Sequence, residues 1–130
     1  MFAELLKKII FSKSKNTVRI KTSSSFVRDK WIEIENLVQT KNPSSLKQSV
    51  IIADKILEQV IKDATGASTM GTGLKMSKNL FSDYAIYDKA WKAHKVRNSM
   101  VHDPSYDPPH YVLTDAIEQF KVVFKDLKLL

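Results

Sequence analysis

The chain has no cysteine. That excludes disulfide staples, cysteine-ligated zinc and a cysteine nucleophile, and it fits a reducing compartment such as the cytoplasm. Glycine is scarce as well: Gly66, Gly71 and Gly73 are the only three. A turn-rich fold needs more such punctuation, so the composition favours helices with few breaks. No apolar run approaches the ~20 residues that span a bilayer. The small-residue cleavage site of a secretory signal is also missing. What is present is 130 residues, 43% of them hydrophobic. That suits one domain with a single modest core.

The charge is uneven. Residues 1–30 carry +6 of the formal net charge of +7, so the remainder of the chain is nearly neutral. A basic arm favours anionic partners such as RNA, DNA or lipid headgroups, or it serves as a solubilising tail. Phe2, Leu5, Leu6, Ile9 and Ile10 fall at helical spacing beside Lys7 and Lys8. Such a segment suits a helix lying on a membrane surface, or one docked on this domain or on a partner protein. Residues 12–25 are rich in Ser, Thr and Lys and read as a linker. The expected division is a basic amphipathic segment with its linker over 1–24 and a helical domain over 25–130.

Within the domain the apolar residues recur at helical period. The first helix is expected over Ser25–Val38, with Phe26, Trp31, Ile34 and Val38 facing inward. Asn42-Pro43-Ser44-Ser45 is a start signal, with Pro43 in the first turn and Ser45 and Gln48 as a capping box. The second helix carries Leu46, Val50, Ala53, Leu57, Val60, Ile61 and Ala64 and ends at Gly66. Residues 66–73 read as a loop leading into a short helix through Leu74, Met76, Leu80 and Phe81. Their glycines are no phosphate-binding loop, because no Gly-Lys-Ser/Thr follows and no strand precedes them. A further helix is expected over Tyr84–Val101. Pro104, Pro108 and Pro109 form a stiff connection to a last helix carrying Leu113, Ala116, Ile117, Phe120, Val123, Phe124 and Leu127. The fold class is therefore all-α, an antiparallel bundle of four to five helices with a short N-terminal amphipathic segment.

The chemistry concentrates in Arg97-Asn98-Ser99-Met100-Val101-His102, just before Pro104. Arg grips phosphate with a planar fork of donors, and His is the side chain best placed to move protons near neutral pH. Two stripes run along this helix. One is Ile86, Ala90, Ala93, Arg97, Met100 and Val101; the other is Tyr87, Trp91, His94, Asn98 and His102. Arg97 thus sits among small and apolar residues, where a guanidinium needs an anion. Asp54, in line with Val50, Leu57 and Ile61, is expected to face Arg97 or His102, with Glu58 as the second choice. His94 and His102 lie ~12 Å apart along the axis, too far to share a metal. No metal or cofactor is expected.

The six residues Arg97 to His102 resemble the Arg-x4-His motif of the HEPN superfamily, with Asn98 as the polar residue that often follows the Arg. The helix pattern over roughly residues 25–128 is similar to the all-α HEPN bundle. The stretch Trp91 to His102 also resembles a small bacterial group of such domains, often preceded by an N-terminal membrane segment. The resemblance implies a homodimer with the motif of both chains lining one cleft, and a metal-independent endoribonuclease. Arg97 would hold the scissile phosphate, and His102 would serve as general base or acid for attack by the ribose 2′-OH. Asn98 would orient His102 or the phosphate, with Asp54, His94 and Glu58 in support. The resemblance equally implies a second kind of protein, a non-catalytic RNA-binding or scaffold module tethered through residues 1–24 to a membrane or partner. In HEPN toxins paired with nucleotidyltransferases a Tyr commonly sits two residues after the His. Pro104 stands there and the nearest Tyr is Tyr106, so nucleotidylation at that position is not expected.

Overall fold

A computed structural model describes residues 17–130 of the chain. The amphipathic stretch from Phe2 to Ile10 lies outside the described residues. Five α-helices and one 3-10 turn make up the fold, and no strand occurs among the described residues. They are α1 (Ser24–Gln39), α2 (Pro43–Thr65), α3 (Met70–Met76), the turn Lys78–Leu80, α4 (Tyr84–His102) and α5 (His110–Asp126). The all-α expectation holds, and no described helix is long and apolar enough to cross a membrane.

Helix α1 starts where the Ser23 hydroxyl accepts the Phe26 N–H, and it buries Val27, Trp31 and Ile34. Ahead of it, Ile20 is half-buried against the core, so the packed chain reaches back before α1. Helix α2 starts differently from expectation. The side chain of Asn42 accepts the Ser44 N–H at 2.8 Å, and no Ser45–Gln48 capping box forms. Pro43 explains the shift. Its fixed φ suits the first helical position and its missing N–H leaves nothing unpaired there. Ser45 is therefore already inside the helix, where its carbonyl accepts the Ser49 hydroxyl. The whole expected stripe from Leu46 to Ala64 is buried. Gly66, at φ 73°, closes the helix with its N–H on the Lys62 carbonyl, a left-handed position that glycine fills without steric cost.

The glycine stretch is a second departure. The loop ends at Thr69, whose hydroxyl accepts the Thr72 N–H, and Gly71 and Gly73 lie inside α3. Glycine in a helix costs up to ~1 kcal/mol against alanine, but here close packing requires it. A Cβ on Gly73 would lie 2.6 Å from the γ2 methyl of buried Ile61. Spacing rules see the helix penalty and miss the neighbour that α2 brings.

Helix α2 is the hub, packing against α1, α3, α4 and α5. Lys47 near its start pairs with Asp107 beyond the end of α4 at 3.0 Å. Asp54, in its middle, meets the middle of α4. The two helices therefore run antiparallel. Between α1 and α5 the Trp31 and Phe124 rings meet edge-on, with centroids 5.9 Å apart. The face of α4 turned to the core is Tyr87, Ala90, Ala93 and His94, a line between the two stripes expected for it. Val101, assigned to the inward stripe, is 47% exposed instead.

Candidate functional site

Helix α4 begins where the Asp83 carboxylate accepts the Ile86 N–H at 2.9 Å. It remains helical to its last residue, His102, one residue further than expected. The Asp103 N–H closes the final turn on the Ser99 carbonyl at 3.0 Å. A tight turn follows in which Asp103 accepts both the N–H and the hydroxyl of Ser105. Those bonds hold the Asp103 carboxyl below its usual range. The unbroken helix has a direct consequence. At 100° per residue, Arg97 and His102 leave the axis about 140° apart. His102 is exposed at the end, whereas Arg97 turns toward α2.

Asp54 is fully buried in α2, and what it meets differs in part from expectation. Its carboxylate oxygens lie 2.9 and 3.1 Å from His94 Nδ1, and Oδ2 is 3.6 Å from Arg97 Nε. The pairing with Arg97 is present; the alternative pairing with His102 is not. Asn98 closes the circuit. Its Oδ1 accepts from Arg97 Nη1 at 3.2 Å, and its Nδ2 lies 3.2 Å from His94 Nε2. Arg97 is a donor only, so the oxygen of the Asn98 amide must face it. The amide NH2 therefore faces His94, whose Nε2 must carry the lone pair. The ring proton is thus on Nδ1, donated to Asp54. The Asp54 and Arg97 charges cancel within the circuit, which is how a fully buried carboxylate is tolerated.

This assignment is directly testable. Nitrogen-resolved NMR should report His94 as the Nδ1–H tautomer; Asn98→Ala should keep it, because the Asp54 carboxylate still accepts from Nδ1, whereas Asp54→Ala should release it. An Nε2–H tautomer in the intact protein would refute the circuit.

Arg97 keeps 27% of its side-chain surface exposed. It lines a shallow groove of about 450 Å³ with Ile51, Lys55, Glu58, Gln59 and Lys62. Glu58 is no partner of the guanidinium; it pairs one turn along its own helix with Lys62 at 2.6 Å. His102 is not among the groove residues. Among the described residues no group of three or more His, Asp or Glu is placed to hold a metal ion. The residue that sequence reading undervalued is His94. The second stripe grouped it with Asn98 and His102 as a supporting residue, yet it is almost fully buried and central to the circuit. The available signal was its i, i+3 and i, i+4 spacing to Arg97 and Asn98, which lets one residue touch both ends of a polar circuit. Protein-family models, curated proteins and solved structures were compared with this chain, and none matches it.

Proposed function

We propose that this is a HEPN-like domain that acts on RNA as a metal-independent endoribonuclease, its active cleft formed by two copies. The observation that carries the reading is the state of Arg97. Asp54 and Asn98 hold the guanidinium in place, while its exposed part opens on a groove where Lys55 adds a second cation and Lys62 is paired with Glu58. An anchored Arg with free donors is prepared for a phosphate and loses little freedom on binding one.

In this reading Arg97 binds the scissile phosphate and offsets the charge that develops on it. His102 of the other copy takes the proton from the ribose 2′-OH as that oxygen attacks phosphorus. The bond to the 5′ oxygen breaks, leaving a 2′,3′-cyclic phosphate and a 5′-hydroxyl that receives a proton. Asn98 orients Arg97, and the Asp54–His94 pair supports it from behind. The need for a 2′-OH restricts the reaction to RNA.

Incubation with labelled RNA in EDTA tests the proposal. Cleavage should persist in EDTA and fall by roughly 10²-fold or more in Arg97→Ala and in His102→Ala. A second reading, the non-catalytic dimeric module tethered through residues 1–24, draws on the same guanidinium. Two of its nitrogens are already engaged within the chain. RNA retained by the folded protein without any cleavage would select that module. Neither binding nor cleavage would overturn the RNA-directed reading and favour a scaffold module.

A further inference from the structure

Helix α4 carries more aromatic surface than its packing uses. Taking 100° per residue, Tyr84, Asp88, Trp91, Lys95, Asn98 and His102 lie within about 40° of one line along it. Tyr84 is 66% exposed and Trp91 half-buried, while Lys95 and His102 are exposed. Each ring has neighbours on the fold. Tyr84 leans on Tyr87 at 6.1 Å, with the Lys78 ammonium 5.6 Å from its ring centre. Trp91 rests edge-on between Tyr87 and His94, both at 6.4 Å. It also rests on Gly71, where an added Cβ would meet its ring at 3.8 Å. Asp88, the acidic group on this edge, is paired with Lys92 at 2.9 Å. Lys95 has no ion pair among the described residues.

We infer that this edge of α4 is a stacking platform for a single-stranded nucleic acid, running from Tyr84 through Trp91 and Lys95 to His102. Rings with an exposed surface bind unpaired bases of any identity, and a cation beside them, here Lys95 one turn beyond Trp91, meets the phosphates. The spacing agrees. Tyr84 and Trp91 are separated by about 10.5 Å of helix, about three base steps of a stacked strand at ~3.4 Å each. A protein partner would favour a patch without the unpaired Lys95 beside the rings, because burying an unpaired ammonium is costly. An exposed tyrosine at 66% contributes little to the fold, so its ring is free for a ligand.

The inference rests on the RNA-directed reading and adds where the strand lies. Its test is kept separate from cleavage by a short, unstructured 2′-O-methyl oligonucleotide, which has no 2′-OH to attack. Trp91 is the reporter, since Trp31 is 5% exposed and buried against Phe124. The oligonucleotide should quench the emission saturably. Tyr84→Ala should raise the Kd roughly fivefold or more, Lys95→Ala should raise it and flatten its dependence on salt, and a duplex of the same sequence should not quench. Absence of quenching, equal quenching by duplex, or an unchanged Kd in Tyr84→Ala would overturn the platform. Cleavage of RNA without this quenching removes the platform and leaves the nuclease. Quenching as expected without cleavage of RNA removes the nuclease and leaves the platform.

Discussion

Asp54→Ala should destabilise the domain by about 3–5 kcal/mol, the range for removing one partner of a buried pair. The cost has two sources. His94 loses the acceptor for its Nδ1–H in a place that water barely reaches. Arg97 loses its internal anion, though its 27% exposure lets the guanidinium turn outward and recover part of the loss. Asp54→Asn separates these sources. It keeps an oxygen for His94 but sets an NH2 against Arg97 Nε, so its effect should be smaller than that of alanine. Urea unfolding with an unchanged slope reads both values. A shift under ~0.5 kcal/mol for Asp54→Ala would show that the carboxylate is not the keystone of the circuit.

Two inactive variants, mixed, should recover activity. Arg97 and His102 diverge by about 140° on a helix that stays intact to its end. In the proposed two-copy cleft one phosphate would meet an Arg from one copy and a His from the other. In a mixture of Arg97→Ala and His102→Ala chains that exchange freely, half the dimers are mixed. Each mixed dimer keeps one intact site of two, so about a quarter of native activity should return. Neither variant alone should show it. Mixtures that stay at the level of the single variants, with subunit exchange verified, would place both residues of a site in one chain and contradict the two-copy cleft.

The elements were readable because their signals are local. The stripe of α2, Pro43 at its start and Gly66 at its end each act through neighbours within one or two turns. The Asp54–Arg97 contact was readable for a related reason: a charge on each of two apolar stripes requires an answer, and each was the other's nearest candidate. Other details depended on what lies across the interface. That Gly73 sits in a helix turns on Ile61, which is close only because α2 and α3 cross there. His94 falls by spacing on the second stripe of α4. Its burial depends on the rotation of α4 against α2, and small Ala90 and Ala93 direct that rotation by filling the contact face. Val101 reads as apolar and inward, yet it lies on the far side of the same rotation.

By itself the sequence determined the helices, most of their ends, and the placing of an Arg, an Asn and a His before Pro104. Periodicity and capping are short-range properties written in neighbouring residues. Only the tertiary structure decided which of those side chains act together. Asp54 and His94 are forty positions apart, and helix packing alone sets the distance between them. That packing made Arg97, Asn98, His94 and Asp54 one circuit. It left His102 outside it, on the exposed line with Tyr84 and Trp91.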